Sequence, residues 1–129
     1  MTQVRIEHVN ISVSDPARTA AMLMDLFGWH IRWQGKAASG GYTIHVGSDT
    51  DYLAVYSLRP DAAAKADFAK GAPLNHLGIQ VDDLGAIERK VIARGLAPFN
   101  HADYEPGRRF YFFDEDGIEY EIISYANQP

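Results

Sequence analysis

With 129 residues, 47% of them hydrophobic and 22% charged, the chain has the makeup of a soluble globular protein long enough to bury one real core. A net charge of −5 with mostly scattered basic residues argues against a phosphate-binding nucleic-acid surface, and no apolar run approaches the roughly 20 residues that span a bilayer. Cysteine is absent, which removes disulfides, thiolate ligands and a cysteine nucleophile. The opening residues run straight into a strand-like pattern and lack a signal-peptide core, so a cytoplasmic protein acting on a small molecule is expected, with no nucleic-acid or membrane partner.

Ile6 to Val13 alternates apolar and polar residues, the period of a half-buried strand. Ser14-Asp15-Pro16 then supplies an N-cap and a first-turn proline, Ala20, Leu23, Met24 and Phe27 recur at helical spacing, and Gly28 is placed to end the helix. Trp29 to Trp33, Tyr42 to Val46 and Tyr52 to Leu58 read as three more strands, with a turn over Gly35 to Gly41. Arg59 to Pro73 reads as a linker containing a short helix. The pattern then returns: a strand over Leu74 to Val81, a helix opened by Asp82-Asp83 with Ile87, Val91 and Ile92 on its apolar face, and Gly95 closing it. Short strands follow at Ala97 to Asn100, Arg109 to Phe113 and Ile118 to Ser124, the last two joined by a hairpin turn at Asp116-Gly117. The run Phe110 to Phe113 reads as a strand buried on both faces.

This is an internal repeat. His8 matches His76, Val13 matches Val81 and Asp15 matches Asp83, all at an offset of 68. From the helix ends onward the offset is 67, pairing Gly28 with Gly95, Gly40 with Gly107, Tyr42 with Arg109, Asp49 with Asp116 and Ser57 with Ser124. The chain is therefore expected to be one α+β domain over residues 1–129, made of two tandem βαβββ modules (1–58 and 74–125, linker 59–73) that form a curved mixed-sheet cup with helices outside.

Strand alternation gives the faces. Val9, Ile11 and Val13 should pack on the first helix, Leu77, Ile79 and Val81 on the second, and Tyr120 and Ile122 beside them. His8, Asn10 and Ser12, then His76 and Gln80, then Glu119 and Glu121, look the other way. Two histidines at equivalent repeat positions and a carboxylate on that same inward side make His8, His76 and Glu121 a candidate metal site. Imidazole and carboxylate donors suit Fe, Mn, Zn, Ni or Co, and three of them leave positions open for water or substrate. His30, His45 and His101 lack repeat partners of ligand type and read as structural. Asp114-Glu115-Asp116-Gly117 reads as a turn, because the downstream glutamate of a calcium loop is missing.

Glu7-His8-Val9, Asn75-His76-Leu77 and the ending Tyr111-Phe112-Phe113-Asp114-Glu115-Asp116-Gly117-Ile118-Glu119-Tyr120-Glu121 together resemble the vicinal oxygen chelate superfamily, the glyoxalase, bleomycin-resistance and extradiol dioxygenase group. The resemblance covers essentially the whole chain. It implies ligands at His8, His76 and Glu121. The fourth ligand of many members would fall on Ala54, which cannot bind a metal. Three ligands are typical of fosfomycin-resistance transferases and dioxygenases, although Tyr125 to Pro129 lacks the basic residues of the former.

The expected function is a glyoxalase- or dioxygenase-like metalloenzyme holding a small oxygen-chelating substrate on a divalent transition metal, by isomerase, lyase, transferase or oxygenase chemistry. Asn10, Tyr56, Gln80, Arg109 and Tyr111 are the candidate substrate-binding residues, with Tyr52, Tyr56 and Tyr111 as walls or a proton source and Glu119 as a general base or an exposed carboxylate. The alternative is a metal-free binding or resistance protein of the same fold. A homodimer is expected, since unpaired sheet edges tend to be covered.

Overall fold

The computed structural model describes residues 4–38, 40–59, 73–104 and 107–125, and its backbone falls into two compact units, Met1–Ala66 and Asp67–Pro129. The first holds β1 (His8–Ser12), α1 (Pro16–Phe27), β2 (His30–Lys36), β3 (Tyr42–Gly47) and β4 (Tyr52–Ser57). The second repeats that order with β5 (Leu77–Gln80), α2 (Leu84–Ala93), β6 (Phe99–Tyr104), β7 (Gly107–Phe113) and β8 (Glu119–Ser124). The short helix expected around Ala62 to Ala64 lies outside the described residues.

Each unit is a mixed four-stranded sheet, in the orders β1-β4-β3-β2 and β5-β8-β7-β6. The first strand pairs parallel with the last, and the other pairings are antiparallel. That arrangement follows from the chain: the helix returns the backbone for a parallel pairing, while short turns can make only antiparallel ones. Both helices start on the expected caps. Asp15 accepts from Arg18 N and Asp83 from Ala86 N, at 3.2 and 3.0 Å. Gly28 and Gly95 end them with φ of +70° and +82°, a conformation that glycine adopts without strain.

α1 packs on β3 and β4, and α2 on β7 and β8. The buried stripe of α1 is Pro16, Thr19, Ala20, Met22, Leu23 and Leu26, so it is turned toward Leu26 and leaves Met24 and Phe27 half-buried. On α2, Leu84 and Val91 are buried, whereas Ile92, expected on the apolar face, is exposed. Ile11 and Val13 are buried as expected, but Val9 is exposed.

The second module's sheet is buried on one face. Phe110, Phe112, Tyr120 and Ile122 are fully inaccessible, Tyr111 is half-buried and Phe113 is exposed. The aromatic run alternates as a strand must, which corrects the expectation of two buried faces.

The repeat register also changes inside the sheets. Val55 faces Ile11 and Ile44, while Ile122 faces Ile79 and Phe110. β1 and β5 thus keep the offset of 68 and β4 and β8 that of 67, but β3 and β7 are related by 66. The cause is the following turn: Gly47 pairs with Tyr52, whereas Phe113 pairs with Glu119, one residue further along. Gly107 therefore corresponds to Gly41 rather than Gly40, and Arg109 to Thr43 rather than Tyr42. Glycine is needed at both places, because an added Cβ would meet the carbonyl oxygen of Ser57 at Gly41 and of Ser124 at Gly107.

Candidate metal centre

In the first module His8 opens β1 beside Tyr52, its ladder partner on β4. The two rings stack at 4.8 Å, and His45 stacks on Tyr52 at 4.7 Å and lies 6.5 Å from the His8 ring. Trp33 closes this row against His45 at 5.3 Å, and the Arg32 guanidinium lies 4.6 Å from the centre of the Tyr52 ring. At the offset of 67 His45 has no repeat partner of ligand type. Its counterpart in the true register is Tyr111, since His45 lies across from Ala54 and Tyr111 across from Glu121. Burial pushes the His45 ring below its ordinary 6.5, and repulsion from His8 and Arg32 adds to that. Neutral imidazole is the form able to donate a lone pair.

Ala54 is buried and occupies the place in β4 that Glu121 occupies in β8, so no carboxylate stands there. Asn10 is exposed on the same side of β1 as His8. Tyr56 donates its hydroxyl to the Gly40 carbonyl at 2.9 Å, which ties it to the turn before β3.

In the second module the structure brings together His76, Glu121, Arg109 and Tyr111. His76 Nε2 lies 3.0 Å from Glu121 Oε1, and Arg109 Nη1 donates to Glu121 Oε2 at 2.9 Å. Tyr111 meets the His76 ring edge-on at 6.0 Å. Gln80 is exposed at the end of β5. Glu119 is buried, so it is not the exposed carboxylate that its place beside the turn suggested.

The donor chemistry fits a divalent ion. Two donors about 2.1 Å from one ion and at right angles to it stand about 3.0 Å apart, which is the His76–Glu121 separation. His76 Nδ1 is engaged by Asn75 Oδ1 at 2.8 Å and His8 Nδ1 by Glu7 Oε1 at 2.9 Å, leaving Nε2 as the outward donor of each ring. The His8 contact holds the Glu7 carboxyl below its ordinary 4.5. Within either unit, and among the described residues, no three His, Asp or Glu side chains gather at metal-binding spacing.

Two βαβββ modules in tandem, each with a histidine at the mouth of its first strand, define a duplicated-module fold class. The chain belongs to the Glyoxalase/Bleomycin resistance protein/Dioxygenase superfamily, whose family model matches residues 5–122. No curated protein sequence matches it. Among solved structures, a glyoxylase/bleomycin resistance protein/dioxygenase domain from Frankia sp. EAN1pec is similar with a TM-score of 0.81 at 17% identity, covering 99% of this chain and 96% of that one. The fosfomycin resistance protein FosX from Listeria monocytogenes, complexed with Mn(II) and sulfate, is similar with a TM-score of 0.74 at 15% identity, covering 98% and 96%. FosX from Mesorhizobium loti gives 0.69 at 19%, covering 95% and 92%. No helix among the described residues is long and apolar enough to cross a membrane.

Proposed function

We propose that this protein is a divalent-metal enzyme acting on a small substrate through adjacent oxygens, with His8, His76 and Glu121 as the protein donors. The observation that carries this reading is the His76–Glu121 pair at 3.0 Å, with the second carboxylate oxygen braced by Arg109. A donor carboxylate held by a guanidinium keeps one oxygen directed at the ion and the other out of the way. Mn(II) in the Listeria FosX structure supports a metal from the set Fe, Mn, Zn, Ni or Co. A divalent ion in such a site acts as a Lewis acid, polarising a bound oxygen and stabilising negative charge that develops on it.

The chain's own residues then bind and orient. Asn10 and Gln80 present amides on exposed strand positions and would hydrogen-bond substrate oxygens. Tyr111, against the His76 ring, and Tyr52, stacked with His8 and His45, serve as walls. Arg109 braces Glu121, and a guanidinium fork suits recognition of a carboxylate or phosphate. Tyr56 contributes ring surface, its hydroxyl being committed to Gly40. The chemistry belongs to the isomerase, lyase, transferase or oxygenase classes.

Elemental analysis of protein purified without chelators tests this directly. One bound transition metal per chain, lost in His8→Ala, His76→Ala and Glu121→Gln alike, is the expected result; unchanged metal content in all three sinks the site. The second reading is a metal-free binding protein. It is favoured by Ala54 standing where a fourth ligand would be and by the row Trp33, His45, Tyr52 and His8, which offers ring surface to a ligand. A metal-free protein that still binds a small molecule would establish it.

The assembly in this reading is a cytoplasmic homodimer. Each sheet has two edge strands, β1 and β2 in one and β5 and β6 in the other, and such edges call for cover. Light scattering checks it: a mass near the 14.3 kDa of one chain overturns the dimer.

A further inference from the structure

His8 and His76 hold equivalent places in the two modules, and each ring is met at the same atom by the residue just before it. Glu7 Oε1 lies 2.9 Å from His8 Nδ1, and Asn75 Oδ1 lies 2.8 Å from His76 Nδ1. Consecutive side chains of a regular strand point to opposite faces, so this contact is not a by-product of strand geometry. Glu7 stands just before β1, its carbonyl accepting from Tyr52 N at 3.2 Å, and Asn75 and His76 stand just before β5. The two acceptors differ in kind, a carboxylate and an amide, yet both address Nδ1. The arrangement occurs twice, once in each of the two compact βαβββ units.

Neither a carboxylate nor an amide oxygen can donate, so each calls for the ring proton on Nδ1; at His8 this leaves the lone pair on Nε2, and at His76 it does so once a cation stands between Nε2 and Glu121. Nε2 of His76 is the atom that faces Glu121 Oε1 at 3.0 Å. We propose that Glu7 and Asn75 are positioning residues: through Nδ1 they fix the tautomer and ring orientation of His8 and His76, so that both present Nε2 as the donor. This rests on the metal-site reading given above. Groups of this kind typically change metal affinity 10- to 100-fold. The Glu7 and His8 side chains are 60% and 41% exposed, so water competes for their contact and the low end of that range applies.

The test uses the whole chain and reads the rings by nitrogen-15 correlation spectroscopy, followed by Zn(II) titration. In the metal-free protein, at a pH where the imidazoles are neutral, His8 is expected as the Nδ1–H tautomer. Glu7→Ala should move it toward Nε2–H, the form free histidine prefers, and Glu7→Gln, which keeps an acceptor oxygen, should restore it. At His76 the Glu121 carboxylate competes for a proton on Nε2, so that ring is read with Zn(II) bound. There Nε2 should carry the metal and Nδ1 the proton. Asn75→Ala should weaken Zn(II) about tenfold, with recovery in Asn75→Asp. Glu7→Ala should do the same. A His8 tautomer unchanged in Glu7→Ala, together with undiminished Zn(II) affinity in both alanine variants, overturns the positioning role even if the metal site is real. Failure of the wild-type protein to take up Zn(II) overturns the metal-site reading instead, and is told apart because the His8 signal still responds to Glu7→Ala.

Discussion

Arg109 Nη1 holds Glu121 Oε2 at 2.9 Å, and both side chains are only 13% exposed. Much of the stability of such a pair appears when one half is removed, because the other is left in a poorly solvated place. Glu121→Ala would therefore lose both a donor and the Arg109 carboxylate, at a cost of about 3–5 kcal/mol, and loss of metal would be confounded with loss of fold. Glu121→Gln keeps the volume and an oxygen for Arg109. It should abolish stoichiometric metal while lowering stability by no more than about 1–3 kcal/mol, read from urea unfolding of the metal-free protein. A fully metal-loaded Glu121→Gln variant would show that the carboxylate is not a ligand.

The His76–Glu121 pair was legible in the sequence, because β5 and β8 keep simple alternation and the repeat offsets around them are right. The Arg109–Glu121 contact was not. It depends on Tyr111 standing across from Glu121, which puts Arg109 on the diagonal, and the assumed offset matched Arg109 with Tyr42. The doublet Gly40-Gly41 offered two matches for Gly107, and no residue announces that one hairpin turn is a residue longer than the other. A clue was present in the burial pattern: Ile44 and Val46 are the core-facing pair of β3, as Phe110 and Phe112 are of β7. Matching those pairs would have given the right register and placed His45 opposite Ala54. The caps were legible because they are local: Asp15 and Asp83 satisfy amides three residues on, whatever the sheets do.

The two equivalent glycines should be irreplaceable for one shared reason. A Cβ at Gly41 would stand 2.5 Å from Ser57 O, and one at Gly107 would collide with Ser124 O; both obstacles are backbone. Gly41 also has φ of +85°, which costs a non-glycine residue about 1–3 kcal/mol before any clash. Gly28, with φ of +70° and nothing near its would-be Cβ, isolates the backbone cost. Thermal unfolding should rank Gly41→Ala as clearly less stable than Gly28→Ala, with Gly107→Ala destabilised as well. Equal melting temperatures for Gly28→Ala and Gly41→Ala would refute the close approach.

Phe110 and Phe113 share a strand and a side-chain type but not a fate. Phe110 is fully inaccessible in the helix-covered core, while Phe113 is 41% exposed and stacks on Phe99 at 5.1 Å. Phe110→Ala should cost about 3–5 kcal/mol through lost burial and the cavity it leaves. Phe113→Ala should cost well under half of that, because much of its surface already meets water and ring pairs contribute about 0.5–1.5 kcal/mol. Chemical denaturation of the two variants decides it, and similar losses would contradict the alternation of β7.

Asp114 sets the turn before β8 and carries a pH dependence. Its Oδ1 accepts from Asp116 N at 2.9 Å and Ile118 N at 3.0 Å, and its Oδ2 accepts from the Tyr120 hydroxyl at 3.1 Å. Burial nevertheless lifts its carboxyl above the ordinary 3.8, the three donors offsetting only part of that effect. Burial also lifts the Tyr120 phenol well above 10, with the neighbouring Asp114 charge adding to it, so the phenol stays a donor at neutral pH. With the folded value above the unfolded one, the folded state binds the extra proton between the two. Stability from this group is therefore present below the unfolded value and falls as pH rises through the folded one. Asp114→Asn has the same shape, offers an oxygen to the two amides and carries no charge to bury. Urea unfolding across mildly acidic pH should show the wild-type protein losing stability relative to Asp114→Asn as pH climbs past 3.8, and the two curves running parallel at neutral pH. A wild-type protein that instead gains stability relative to Asp114→Asn over that rise would mean that the three hydrogen bonds outweigh desolvation, and that the carboxylate is stabilised in the turn.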